Sequence, residues 1–168
     1  MKCHECGSTM SEAKETYQYT ESGLDNVYIN NVTVYRCSCG EFFASIPSVV
    51  KVNQVIALAL IKKKNSLRGK EVKYLRKNAG LSAKAFAEYI GINKSTLSRW
   101  EHEKQIIDKA NDRLIRLFYA GFKGLPHEEI QKLSKDVMKA IHNGGKETPI
   151  NIPVNDIDFM NFEEHRCS

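Results

Sequence analysis

An α+β fold is predicted for this chain: a small N-terminal β unit stapled by a metal ion, followed by an all-α domain. Three observations lead there. Two cysteine pairs, in "MKCHECG" and "VYRCSCGE", bracket a stretch rich in Tyr, Val, Thr and Ile. From residue 69 onward the apolar residues recur at helical spacing. The charge also changes sign along the chain. Residues 1–45 hold three Lys/Arg against six Asp/Glu, residues 46–125 seventeen against six, and residues 126–168 five against eight. A basic centre between acidic ends suits a polyanion-binding module whose flanks have another task.

Residues 1–46 read as the β unit. "KETYQYTESG" and "DNVYINNVTVYRC" have the composition of hairpin strands, with Ser22-Gly23 between them. Pro47 marks a boundary, and residues 47–68 form a linker helix started by Ser48 as N-cap. Residues 69–122 form a compact helical domain. Its first helix places Val72, Leu75 and Arg76 on one face and ends near Gly80; its second starts at Ser82 and turns Phe86, Ala87 and Ile90 inward. A third follows Gly91, capped by Asn93, and "DKANDRLIRLFYAGF" supplies a fourth. Residues 123–142 add a further helix with Pro126 in its first turn. Residues 143–168, acidic and carrying two prolines, read as a flexible tail.

The cysteines point to metal. Cys3 and Cys6 are spaced C-x2-C, Cys37 and Cys39 C-x-C, and glycine follows each pair at once. Sulfurs that close together on a tight turn can face one ion, and the glycine lets the turn close. Two such knuckles make a closed site of four thiolates, which suits one structural zinc per chain. His4, between the first two cysteines, is the alternative to Cys39 as fourth ligand; redox thiols and unrelated buried cysteines are the other readings of the pairs. Some 45 residues bury too little surface to fold unaided, so the metal would supply the missing stability. Cys167 reads as a free thiol.

"LSAKAFAEYIGINKSTLSRWE" carries the functional signal. Two helices joined by a short glycine turn form the unit that sets its second helix in the DNA major groove. On that helix Leu97 and Trp100 face the core, while Lys94, Ser95, Ser98, Arg99 and His102 project outward. Arg and Lys can bond guanine O6 and N7, and Ser serves bases or phosphates. Asn93 and Thr96 complete the expected DNA-facing set. Ser82 and Lys84 sit where phosphate contacts fall, near a helix N-terminus.

Residues 70–104 resemble the phage-repressor-type (XRE-like, Cro/CI) helix-turn-helix. That resemblance implies an ion pair between Arg76 in the first helix and Glu101 at the end of the recognition helix. Residues 1–120 resemble the MqsA/YgiT-type zinc-finger plus helix-turn-helix proteins. The matching stretches are "MKCHECG", "VYRCSCGE", "LRGKEVKYLRKNAGLSAKAFAEYIGINKSTLSRWE" and "NDRLIRLFYA". The resemblance implies zinc ligands at Cys3, Cys6, Cys37 and Cys39 and DNA-reading side chains at Lys94, Ser95, Ser98 and Arg99. It also implies a homodimer that represses its own operon as an antitoxin, with a small basic toxin as partner. It does not reach the last forty or so residues.

A palindromic double-stranded operator and a non-enzymatic role are therefore expected. One alternative is a stand-alone or prophage-type regulator without a toxin. Another, from a different class, is a zinc or thiol enzyme. Against it stand a closed four-cysteine site and the lack of an HExxH or a glycine-rich phosphate loop. The longest apolar run, "VIALALI", is far short of a membrane span, and no export signal is visible, so a cytoplasmic location is expected.

Overall fold

The computed structural model describes residues 1–140 and 148–159. They divide into two compact units, residues 1–55 with 148–159, and residues 56–140. A small sheet bearing the cysteines is followed by helices, the α+β arrangement expected. No helix among the described residues is long and apolar enough to cross a membrane.

The first unit is organised on one long strand. β1 (Ser11–Gln18) pairs antiparallel with β2 (Val27–Arg36), and β3 (Phe42–Ser45) pairs antiparallel with the far end of β2. Glu15 faces Val32 and Tyr17 faces Ile29, so β2 takes three steps where β1 takes two. The extra residue is absorbed at Asn31, whose φ of 63° is left-handed, a conformation asparagine tolerates better than most residues. This bulge shifts the phase of burial: Val27 and Ile29 point inward before it, Val32 and Val34 after it. One apolar face thus survives the kink.

A third partner of β2 comes from the far end of the chain. β4 (Ile150–Pro153) pairs with Val27–Asn30, parallel, and α7 (Val154–Phe159) follows it directly. Ile152 and Ile157 are fully buried. Where the sequence reads an open tail, residues 150–159 form a strand and a helix. Isoleucines at alternate positions of "INIPV" bury against a partner that lies some 120 residues earlier. Residues 141–147 and 160–168, which include the end of the expected last helix, the rest of the expected tail and Cys167, lie outside the described residues.

The boundary between units falls inside α1 (Val49–Lys62), whose first turn is capped by Ser48, with the Lys51 N–H donating to its hydroxyl. The second unit then holds α2 (Gly69–Asn78), α3 (Ala83–Tyr89), α4 (Lys94–Glu101), α5 (Lys109–Phe122) and α6 (His127–Ala140). Val72, Leu75, Phe86, Leu97, Trp100 and Ile115 form its core. A buried ion pair fastens the loop before α2 to α5. The Asp112 carboxylate accepts from the Leu67 N–H and from Arg116, and the Arg116 guanidinium also donates to the carbonyls of Ile61, Lys63 and Asn65. Both side chains are wholly out of water, so every polar atom needs such a partner.

Gly69 marks the tightest backbone approach in this unit. A Cβ there would lie 1.8 Å from the Trp100 carbonyl oxygen. Gly69→Ala should force α2 and α4 apart and cost about 1–3 kcal/mol or more. Gly121 in α5 has open space where a Cβ would go, so Gly121→Ala should instead be neutral or stabilise by up to about 1 kcal/mol. Thermal unfolding of the two variants checks the pair of signs.

Candidate functional site

Two knuckles bring the cysteines together. In the first, the Gly7 N–H donates to the Cys3 carbonyl (3.0 Å) and the Cys3 N–H to the Ser8 carbonyl (2.9 Å). In the second, which β2 enters at Arg36, the Gly40 N–H donates to the Cys37 carbonyl (3.1 Å) and the Cys37 N–H to the Glu41 carbonyl (2.8 Å). Gly7 (φ 71°) and Gly40 (φ 99°) supply the positive φ that closes each turn. The sulfurs of Cys3, Cys6, Cys37 and Cys39 all lie within 4.8 Å of one another. Cys3 to Cys39 is 3.6 Å and Cys6 to Cys37 is 3.3 Å, and all four are free thiols.

That geometry fits a metal. A tetrahedron of thiolates about 2.3 Å from a central zinc has edges of roughly 3.8 Å, within the observed spread. Cys39 is brought into the cluster with the other three; His4 is not part of it.

Electrostatics adds a reason for a cation. Hydrogen bonds from the Ser8 side chain and backbone lower the Cys6 pKa to about 6. Cys39 also receives a backbone hydrogen bond at Glu41, which pulls it down, but its bonds to Cys37, Cys6 and Cys3 prevail and push it up to about 12. Cys6 therefore ionises well before Cys39, and a cation at the centre would favour the thiolate form that a metal ligand needs. Sequence reasoning missed Ser8 and Glu41. Their signal was positional: each stands two residues after the second cysteine of a pair, just past the glycine.

In the second unit the elements are those of a helix-turn-helix. Ser82 caps α3, accepting from the Ala85 N–H at 3.1 Å. α3 ends in a turn at Gly91, with the Ile92 N–H donating to the Ala87 carbonyl (3.0 Å), and Asn93 stands at the start of α4 with no side-chain cap bond. Leu97 and Trp100 are buried. Asn93, Lys94, Ser95, Ser98, Arg99 and His102 are exposed, and Thr96 is half-buried. His102 Nδ1 lies 2.7 Å from the Ser98 carbonyl, at the C-terminal end of the same face. Ser82 and Lys84 are exposed on α3; Lys84 comes only to 4.0 Å of Glu88, too open a pair to hold its ammonium.

Arg76 and Glu101 meet in a two-pronged ion pair. Arg76 Nε to Glu101 Oε1 is 2.6 Å and Nη2 to Oε2 is 3.0 Å, while Nη1 donates to the Leu81 carbonyl at 2.9 Å. Both side chains are nearly buried, at 11% and 7% exposure.

The second unit thus carries the elements of a helix-turn-helix, and the first brings together four cysteines that could hold a metal ion. A helix-turn-helix family model matches residues 72–111, from α2 to the start of α5. This match supports a DNA-binding transcription regulator. Neither the curated proteins nor the solved structures contain a match to the chain.

Because the Arg76–Glu101 pair is nearly dry, removing one partner strands the other charge. Glu101→Ala should destabilise the helical unit by about 3–5 kcal/mol. An exposed pair would cost about 1 kcal/mol or less. Denaturant unfolding followed through Trp100 fluorescence separates the two.

Proposed function

We propose that this protein is a sequence-specific, zinc-containing transcriptional repressor that binds a palindromic operator as a homodimer and acts as the antitoxin of a toxin–antitoxin pair. The observation that carries the DNA reading is the exposed face of α4. Lys94, Ser95, Ser98 and Arg99 stand clear of the core on a helix whose other side is fixed by Leu97, Trp100 and Glu101. Arg99 is the guanine-reading side chain. Ser82, Lys84, Asn93 and Thr96 hold phosphates around it.

One eight-residue helix spans only a few base pairs, so useful specificity calls for two copies about one DNA turn apart. In support of a dimer, α3 and α5 leave a row of aromatics partly bare. Tyr89 and Phe122 each pack against Phe118, with 5.4 Å between ring centroids, and are 61% and 43% exposed. A second copy covering them would remove this apolar surface from water.

The antitoxin reading rests on the resemblance of the cysteine knuckles and the helix-turn-helix to the MqsA/YgiT type. It is consistent with an acidic first unit that a small basic toxin would meet. Rescue by this chain of cells expressing the protein encoded beside it tests that reading; a neighbour that is harmless alone removes it.

The metal in this reading is zinc, held by Cys3, Cys6, Cys37 and Cys39, and it holds the knuckles against the sheet. Protein purified without added metal should carry one zinc per chain, and Cys3→Ser should lose it along with the β signal of the first unit. A metal-free chain with an intact first unit would contradict the assignment.

On DNA, Arg99→Ala should lose about 1–3 kcal/mol per half-site on the operator and little on scrambled DNA. Lys84→Ala should weaken both about equally and flatten the salt dependence. Titrations on the DNA upstream of the gene and on a scrambled control, at two salt concentrations, check this. Equal losses on both DNAs for Arg99→Ala would make that side chain a phosphate contact only.

A further inference from the structure

β2 has one edge covered by β1 and another that is shared. Thr33–Arg36 of that second edge pair with β3, and Val27–Asn30 pair with β4, with the bulge at Asn31 between the two stretches. Without β4, a short strand edge and the buried side chains of Val27 and Ile29 would be laid open. The protein fills this half-edge with its own C-terminal segment.

The grip on that segment has two parts. Near Asn26 it is backbone-directed: Asn26 Nδ2 donates to the Thr148 carbonyl (2.9 Å), and the Ile150 N–H donates to the Asn26 carbonyl (2.8 Å). Such contacts hold any extended chain. Further on it is selective, with Ile152 and, five residues later, Ile157 fully enclosed. The hold is small for its length. Four residues pair, Pro153 brings no N–H, and every ordered residue costs conformational entropy. The fit is also incomplete. Asn26 is 93% buried, yet its Oδ1 has no hydrogen-bond partner among the described residues. A strand that brought a donor to this point would bind with an advantage the resident strand lacks.

From these observations we infer that the Val27–Asn30 edge is a docking site for an extended segment of a partner protein, and that β4 and α7 are its displaceable resident. The incoming segment runs parallel to β2. It carries a branched apolar residue in the place of Ile152, a second apolar residue five positions on, and a hydrogen-bond donor near Asn26 Oδ1. Its flanks are basic, because residues 1–45 hold three Lys/Arg against six Asp/Glu. The resident strand sets a threshold. Covalent tethering favours it over a free segment of equal fit, so an incoming segment displaces it by fitting better or by being more abundant.

The test uses the full chain and a fluorescent peptide of residues 148–159. Ile152→Glu/Ile157→Glu should release the resident, and the peptide should then bind at least about 100-fold tighter than to the unaltered chain. Two lysines added ahead of Thr148 in the peptide should tighten binding further at low salt. A variant that keeps its circular dichroism but does not bind the peptide overturns the docking site. A weaker lysine peptide overturns the basic partner. Hydrogen exchange on the unaltered chain tests the same point even if the variant fails to fold. The amides of Ile150 and Ile152, which face β2, should exchange at least about tenfold faster than those of Val32 and Val34. Equal protection means β4 does not leave, and the inference fails.

Discussion

The guanidinium of Arg76 ties three parts of the helical unit together. It belongs to α2, grips the carboxylate of Glu101 at the end of α4 with two nitrogens, and binds the Leu81 carbonyl just before α3 with the third. α3 and α4 span seven and eight residues, too short to hold as isolated helices in water. Their existence depends on tertiary contacts, and most of those contacts are apolar and forgiving of small rotations. The Arg76 fork is the directional one. It fixes how far α4 can turn about its axis, and that rotation decides whether Arg99 and Ser98 point outward together. Gly69 serves the same end, since only a residue without Cβ lets α2 approach the Trp100 carbonyl.

The two units solve the stability problem in different ways. The helical unit encloses a large core and even buries a charged pair, Asp112 and Arg116, whose hydrogen-bonding nitrogens and oxygens meet the backbone from the end of α1 to Leu67 or each other. The first unit has a smaller core and leans on β2. That strand carries β1 on one edge, β3 and β4 on the other, and delivers Cys37 to the four-cysteine cluster directly after its last residue. A metal held by the four cysteines would therefore reinforce strand pairing through a single element.

Much of this was legible in the sequence where the signal is local. The N-cap at Ser82, the apolar spacing of Leu97 and Trp100, and the glycine after each cysteine pair each report on neighbours a few residues away. β3 is hidden because "FFAS" is four residues long and leaves Phe42 and Phe43 half exposed, so it shows no alternation. β4 and α7 read as tail for a different reason. Pro149 and Pro153 and the interspersed Asn and Asp leave no sustained period there, and the pairing that overrides them is parallel and reaches across the whole helical unit in sequence. Asp112 and Arg116 stand four residues apart on α5 and look like a surface pair. Only the carbonyls at the end of α1 and in the loop after it, which close over them, make the pair internal.

Sequence-specific DNA reading requires α4 to lie in a major groove, and guanine N7, exposed only there, reports on that directly. Dimethyl sulfate protection of DNA bound by the full chain is the most direct measurement. Protection of guanines in two patches about one helical turn apart, on one face of the duplex, is the result expected of a dimer reading with two recognition helices. Protection confined to adenines in the minor groove, or spread evenly without regard to sequence, would contradict it.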